Sequence, residues 1–121
     1  MRLRKLDPQE LIRRAKDYLA QTPKARAGLS QTARAVGTSP STLALAFRTS
    51  ERVSFYRFAL NLRLARAAAL LPTYDNLSRL ATDLGFASHS HFSTAFHRWA
   101  GLTPSAYRAA VDRQARAQGP A

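Results

Sequence analysis

The sequence predicts an all-α fold with about seven helices. Apolar residues recur along the chain at the spacing of one helix face, and no segment shows the strict alternation of a half-buried strand. The 5 glycines and 6 prolines fall between the periodic segments, where such residues begin or end helices. A length of 121 residues allows one domain or two very small lobes.

The first helix is predicted to run from Pro8 to Ala20. Asp7 precedes it as a capping residue, Pro8 occupies the first helical position, and Glu10 stands three residues after the cap. Thr22 and Pro23 are expected to end this helix, because a proline disfavours the helical conformation in the residue before it.

The other six helices are each bounded by a capping residue, a glycine or a proline. In chain order they are predicted at 29–36, ended by Gly37; from Ser39-Pro40 onward; at 54–71, ended by Pro72; at 77–84, between Asn76 and Gly85; from Ser88 to about Trp99; and from Thr103-Pro104 onward.

A weak internal repeat relates two parts of the chain. Leu29, Ser30, Ala33 and Gly37 recur at an offset of 48 as Leu77, Ser78, Ala81 and Gly85, and Ser39, Leu43 and Phe47 recur at 49 as Ser88, Phe92 and Phe96. Each copy is a short helix, a glycine turn and a second helix, which is the pattern of a helix-turn-helix unit. The fold is therefore predicted to contain two helix-turn-helix subdomains joined by a long helix.

The chain is strongly basic, with 19 Lys and Arg against 7 Asp and Glu and a net charge of +12. Such a field attracts polyanions, which include nucleic acid, an anionic membrane and an acidic protein. The charges are spread along the chain, which argues against a disordered basic arm.

Composition also excludes several classes of protein. The absence of cysteine rules out disulfides and thiolate metal sites. Charged residues interrupt the N-terminal region, so no secretory signal fits, and the apolar stretch at 67–71 is far too short to span a bilayer. We expect a soluble, intracellular protein without a cofactor. No catalytic constellation or phosphate-binding glycine loop is present.

The second copy keeps a glycine, several aromatics and a Pro-x-x-Tyr-Arg ending at fixed spacing. These residues are Ala81, Gly85, Phe86, Ser88, Phe92, Phe96, Gly101, Thr103, Pro104, Tyr107 and Arg108. The combination resembles the C-terminal signature of the AraC/XylS family of bacterial transcription regulators. The first copy is more loosely similar to the family's first unit, at Ala33, Gly37, Ser39, Pro40, Leu43, Phe47, Arg63, Ala67, Leu70 and Leu71. The resemblance covers about residues 8 to 110.

The resemblance implies a DNA-binding domain over 1–121, with subdomains at about 8–53 and 76–117 and a joining helix at about 54–71. Its two recognition helices are expected to enter successive major-groove segments ~34 Å apart. Bending of the DNA is expected, at a cost on the order of a few kcal/mol. Family members usually carry a separate sensing or dimerising domain, so the chain is either a stand-alone regulator or a piece of a longer protein.

Carried over position by position, the resemblance implies eight base-contacting residues. They are Ser41, Thr42, Ala44 and Leu45 in the first recognition helix and His89, Ser90, Ser93 and Thr94 in the second. Ala44 and Leu45 depart from the family's long polar side chains, since they can touch only a thymine methyl group. Further departures are Arg52 where glycine is usual, Phe55 where proline is frequent, and Thr32 where an apolar residue is usual.

Other residues divide between DNA and the fold. Arg48, Arg98 and Arg108 are expected to contact phosphates, the alternative being an ordinary basic surface. Arg63 is interpreted as structural, paired with an acid inside the fold. Six aromatics, Phe47, Phe58, Phe92, Phe96, Trp99 and Tyr107, are interpreted as core rather than as a base-stacking platform. The spacing of the histidines argues against a metal site, because neighbouring rings fall on different sides of a helix.

The function predicted is sequence-specific binding of double-stranded DNA by a cytoplasmic, nucleoid-associated transcription regulator, with RNA polymerase as a further candidate partner. Two alternatives stay open: a nonspecific basic nucleic-acid- or RNA-binding protein, and a helical interaction module for an acidic partner. Within the leading hypothesis, the second unit is expected to read bases and the first mainly to hold the DNA backbone and favour bendable sequences.

Overall fold

The computed structural model describes residues 7–21 and 28–119. Within these ranges it contains seven α-helices and no strand, which confirms the predicted fold class. The helices are α1 (Pro8–Ala20), α2 (Leu29–Val36), α3 (Pro40–Ser50), α4 (Phe55–Leu70), α5 (Leu77–Asp83), α6 (His89–Ala100) and α7 (Pro104–Ala117). The predicted end of α1 at Thr22 and Pro23 lies outside the described residues. The chain divides into two compact units, 1–60 and 61–121, with the boundary inside α4.

Side-chain caps define where most helices begin. Asp7 accepts a hydrogen bond from the backbone N of Gln9 at 2.8 Å. Four more predicted caps, Ser39, Asn76, Ser88 and Thr103, accept from the backbone N three residues later at 3.0–3.2 Å. Each such cap satisfies a backbone donor that the helix leaves unpaired and contributes about 1 kcal/mol.

The ends of α4 differ slightly from the prediction of 54–71. Ser54 accepts from the backbone N of Arg57 at 3.1 Å and so precedes the helix as its cap. At the other end Leu71 begins a single 3₁₀ turn, Leu71–Thr73. The change of helix type follows from Pro72, whose ring clashes with continued α-helix and whose nitrogen has no hydrogen to donate.

The first unit packs α1 against both α2 and α3. Leu11, Ile12, Ala15 and Leu19 form the buried side of α1, and Leu43 and Phe47 are fully buried on α3. The Phe47 ring lies 5.3 Å from Phe55 and 5.2 Å from Phe58. Thr32 is also fully buried, and its hydroxyl donates to the carbonyl of Gly28 at 2.8 Å. A polar residue is therefore tolerated here because its donor is satisfied within its own helix.

The second unit is built around a row of aromatic rings. Phe86, Phe92, Phe96 and Tyr107 follow one another at centroid distances of 5.1, 5.7 and 5.4 Å. Phe92 and Phe96 are fully buried, as predicted. Trp99 differs from the core interpretation, since it is 41% exposed, and its ring centroid lies 5.7 Å from that of Phe96.

The internal repeat is reproduced in the backbone of the two turns. Gly37 and Gly85 both adopt the left-handed conformation, with φ of 82° and 84°. The backbone N of Gly37 donates to Arg34 O and that of Thr38 to Ala33 O, at 3.2 and 2.9 Å. The same two bonds recur 48 positions later, from Gly85 to Thr82 O and from Phe86 to Ala81 O, both at 3.0 Å. This doubly bonded glycine turn sets the angle at which each second helix leaves.

Candidate nucleic-acid interface

The outward side of α3 is formed by residues at helical spacing. Ser41, Leu45 and Arg48 are exposed, and Leu45 is 66% exposed. Thr42 and Ala44 are half-buried, and the hydroxyl of Thr42 accepts a hydrogen bond from Ser39 at 2.8 Å. Of the four predicted base contacts on this helix, Ser41 and Leu45 are therefore the most available to a ligand.

The outward side of α6 is polar. His89, Ser90 and Thr94 are exposed and Ser93 is half-buried. They lie on the same helix as Phe92 and Phe96, whose rings are completely buried. Because those rings are locked in the core, the side chains of the outer face are carried on a firmly packed helix. All four of its predicted contact residues keep side-chain groups that can donate or accept hydrogen bonds.

Neither α3 nor α6 contains an acidic residue. Five of the seven acids are engaged elsewhere: Asp7 caps α1, Glu10 and Asp17 pair with Arg13, Glu51 pairs with Lys16, and Asp83 pairs with Arg79. Arg48 on α3 and Arg98 on α6 therefore give each outward helix a net positive charge, which suits a polyanion.

The three arginines predicted to contact phosphates have different surroundings. Arg48 and Arg98 are exposed on α3 and α6, and neither has an acidic partner among the residues that the structure describes. Arg108 is half-buried on α7, and its Nη1 donates to the carbonyl of Tyr74 at 2.8 Å. Sequence reasoning missed this contact, because nothing in the pattern relates two residues 34 positions apart.

Arg63 has a structural environment, as interpreted from the sequence. It is 8% exposed, and its guanidinium lies 5.1 Å from the ring centroid of Phe86. A buried cation over an aromatic face is stabilised by the ring quadrupole. The aromatic partner was not foreseen, since the prediction considered only an acid.

The histidines of α6 also occupy different environments. His89 and His97 are exposed, whereas His91 is half-buried with its ring 5.6 Å from Phe86 in an edge-on arrangement. No group of three or more potential metal ligands occurs among the described residues. None of the helices that the structure describes is both long and apolar enough to cross a membrane.

Comparison with known proteins identifies the class of this architecture. Residues 32–110 match the family model described as a helix-turn-helix domain. The structure is similar to a transcriptional regulator from Chromobacterium violaceum with an AraC-type DNA-binding domain, with a TM-score of 0.79 and 25% identity over 84% of this chain and 91% of that one. No curated protein sequence matches the chain.

Two further solved structures are similar. The C-terminal domain of AraT, a response regulator from Geobacillus stearothermophilus, has a TM-score of 0.76 and 27% identity over 88% of each chain. The DNA-binding domain of AdpA, a global transcriptional factor solved in complex with a target DNA, has a TM-score of 0.77 and 27% identity over 94% of this chain and 100% of that one.

The fold and the two outward helices define a helix-turn-helix DNA-binding protein. The chain belongs to the AraC-type helix-turn-helix family, as its resemblance predicted. Members of this family regulate transcription by binding DNA and are not enzymes. This confirms the prediction that the protein is not an enzyme and the broader part of the predicted function, DNA binding in transcription regulation.

Proposed function

We propose that this protein binds a specific double-stranded DNA sequence through two helix-turn-helix units placed in adjacent major grooves, and so regulates transcription. The outward side of α6 carries the proposal, because it offers four polar side chains and no acid on a helix fixed by two buried phenylalanines. Hydrogen bonds of this kind to base edges distinguish sequences in the major groove. The likeness to AdpA, solved with a target DNA, supports the proposal.

The proposed base contacts are those carried over from the family. They are Ser41, Thr42, Ala44, Leu45, His89, Ser90, Ser93 and Thr94, with Arg48 and Arg98 on phosphates. A phosphate contact by Arg108 stays a prediction, and its bond to Tyr74 weighs against it. Cytoplasmic location at the nucleoid, contact with RNA polymerase and a sensor domain outside this chain also stay predictions.

Selection of bound duplexes from a random pool tests the function. We expect one recovered sequence to bind ~10³-fold or more tightly than a scrambled duplex at the same salt concentration. Footprinting should then protect two adjacent major-groove segments. Equal affinity for all duplexes would instead favour a nonspecific nucleic-acid-binding protein. The interaction-module alternative would be favoured if the protein bound an acidic protein with an affinity that Ser93→Ala together with Thr94→Ala leaves unchanged.

The two recognition helices divide the work in this proposal. The second unit reads base edges through α6. The first unit mainly holds the DNA backbone, and on its helix α3 Ala44 and Leu45 can contact only thymine methyl groups. Systematic base substitution across the selected site tests the division. We expect losses of ~1–3 kcal/mol per base pair in the half contacted by α6 and smaller losses in the other. Comparable losses in both halves would contradict it.

Leu45 gives a sharper test at one position. Its exposed side chain can recognise only the methyl group of thymine, so replacing thymine with uracil at the contacted position should weaken wild-type binding. The Leu45→Ala variant should bind the thymine and uracil duplexes equally. A matched control is a thymine-to-uracil change in the half contacted by α6, where Leu45→Ala should change nothing. Leu45 is not a base contact if no position shows this dependence.

A further inference from the structure

Tyr74 is hydrogen-bonded through both its backbone carbonyl and its side-chain hydroxyl. It lies between the 3₁₀ turn Leu71–Thr73 and α5, and its carbonyl accepts a hydrogen bond from Arg108 Nη1 at 2.8 Å. Its phenol donates to Asp83 Oδ2 at 2.7 Å. The two bonds connect Tyr74 to Asp83, the last residue of α5, which is 9 positions away, and to Arg108 in α7, which is 34 positions away.

The bond to Asp83 is of the stronger, charge-assisted kind. The carboxylate that accepts it raises the pKa of the Tyr74 phenol above its ordinary value of 10.0. Asp83 also accepts from Arg79 Nε at 3.4 Å, and its side chain is 27% exposed. Both carboxylate oxygens are thereby directed by partners, which limits the orientations that the end of α5 can take.

Asp83 is the last residue before the turn that leads into α6. The next residues are Leu84, Gly85 and Phe86, and the amides of Gly85 and Phe86 close the turn on the end of α5. A displacement at Asp83 therefore reaches the first turn of α6 within a few residues. The corresponding position in the first unit is Ala35, 48 residues earlier, which has no polar side chain to anchor.

The side chain of Arg108 is engaged by backbone carbonyls of its own unit. Its Nη1 points at Tyr74 O and also lies 3.5 Å from Asp75 O, so one nitrogen spans two successive carbonyls. A planar guanidinium can hold such a pair, whereas the compact ammonium of lysine is a point charge on a flexible stem. Arg48 and Arg98, by contrast, project from their helices into solvent.

We propose that Arg108, Tyr74 and Asp83 form a positioning relay that fixes the turn before the recognition helix α6. Arg108 acts through the backbone of Tyr74 and not by neutralising a phosphate. The relay determines how well α6 discriminates between base sequences, and this consequence rests on the proposed function. Its effect on the turn itself does not depend on DNA and can be measured without it.

Tyr74→Phe tests the relay at the phenol. We expect ~3- to 10-fold weaker binding to the selected duplex, unchanged binding to a scrambled duplex and an unchanged salt slope, since no positive charge is lost. Tyr18→Phe is the matched control, because it removes a phenol that accepts a hydrogen bond from Gln31 in the first unit. An equal loss on both duplexes, or no loss on either, would overturn the relay.

Arg108 separates positioning from phosphate contact. If Arg108 acts through the relay, both Arg108→Lys and Arg108→Gln should lose discrimination between the selected and the scrambled duplex, although the lysine keeps the positive charge. A phosphate contact would give the opposite pattern: Arg108→Lys would bind like wild type, and Arg108→Gln would lose affinity for both duplexes with a salt slope smaller by about 1. Arg98→Lys and Arg98→Gln provide the reference pair for a phosphate contact.

Amide hydrogen exchange measures the turn without DNA. Tyr74→Phe and Arg108→Lys should accelerate exchange at Gly85 and Phe86 by ~10-fold while leaving the matching amides of Gly37 and Thr38 unchanged. Unchanged exchange at Gly85 and Phe86, or equal acceleration in both turns, would overturn the relay. If the wild-type protein fails to discriminate between duplexes, the proposed function fails, and the exchange result still decides the relay.

Discussion

At the scale of single residues, Glu10 and Asp17 in α1 both accept hydrogen bonds from Arg13. Glu10 accepts from Arg13 Nη2 at 2.6 Å and from Arg14 Nε at 3.2 Å, and Arg13 also reaches Asp17 at 3.0 Å. Hydrogen bonds from Arg13, then Arg14, lower the pKa of Glu10 from 4.5 to about 2. Arg13, Arg14 and Asp17 are exposed and the side chain of Glu10 is 32% exposed, so solvent screens the pairs and each contributes little to stability on its own.

The lowered pKa of Glu10 makes stability depend on pH in a defined window. A carboxyl whose folded pKa is lowered contributes stability above its unfolded pKa, and that contribution is lost as pH falls from 4.5 towards 2. Glu10→Gln should therefore show a shallower decline of the unfolding free energy across this window, measured by thermal melts at successive pH values.

Two arginine variants serve as controls for Glu10. Arg13→Gln should remove more of the pH dependence than Arg14→Gln, because the hydrogen bond from Arg13 is the largest cause of the lowered pKa. Parallel melting curves for wild type and Glu10→Gln between pH 4.5 and 2 would contradict the assignment.

At the scale of elements, the end of α3 is built differently from the other left-handed helix ends. Gly37, Gly85 and Gly101 have positive φ of 82°, 84° and 81°, and among the described residues Arg52 shares this region, with φ of 59°. Glu51 caps α3 with its amide on Phe47 O at 2.8 Å, and Arg52 follows. Glycine is usual at this position in the family, because a residue without a Cβ adopts positive φ without strain.

Arg52→Gly should stabilise the protein. A side chain in the left-handed region costs roughly 1–2 kcal/mol, and the greater freedom of glycine in the unfolded chain offsets part of the gain. We expect a net increase of about 0.5–1 kcal/mol in the unfolding free energy, measured by urea denaturation.

Arg52→Ala is the control for the loss of charge. It removes the same guanidinium but keeps a Cβ at positive φ, so it should not stabilise the protein. Gly37→Ala should destabilise the protein by about 1 kcal/mol through the same backbone strain. A steric clash would not contribute, because no atom lies within 4 Å of the added Cβ. Equal stability of the glycine and alanine variants at position 52 would show that strain is not the cause.

At the scale of the whole molecule, the net charge of +12 governs affinity through the release of counterions from DNA. Neither outward helix contains an acidic residue, so Arg48 gives α3 and Arg98 gives α6 a net positive charge. Binding is therefore expected to weaken steeply with salt on every duplex, specific or not. Only the ratio between duplexes reports base reading.

Arg48→Gln and Arg98→Gln should each reduce the slope of log K against log salt by about 1, on both the selected and the scrambled duplex. Fluorescence anisotropy titrations over a range of KCl concentrations measure this slope. Arg13→Gln is the matched control, because Glu10 and Asp17 already compensate the charge of Arg13, and its slope should stay at the wild-type value. A wild-type slope for the other two variants would remove them from the phosphate contacts.

The sequence by itself determined the helices, the two turns and most of the core. Caps, prolines and glycines act within a few residues, so Asp7, Ser39, Asn76 and Gly85 define local structure wherever the rest of the chain lies. The spacing of Phe92 and Phe96 was likewise sufficient to place both rings inside. The family followed from such local signals, since they keep their spacing in the second copy.

The tertiary structure alone decided which side chains meet across the chain. The bond from Arg108 to Tyr74, the stacking of Arg63 on Phe86 and the exposure of Trp99 depend on how helices pack, and pattern carries no information on contacts between distant positions. An arginine at the end of a helical signature looks the same whether it meets a phosphate or a carbonyl. Its role follows from the group that packing places within reach of its nitrogens, because hydrogen bonds weaken steeply with distance and angle.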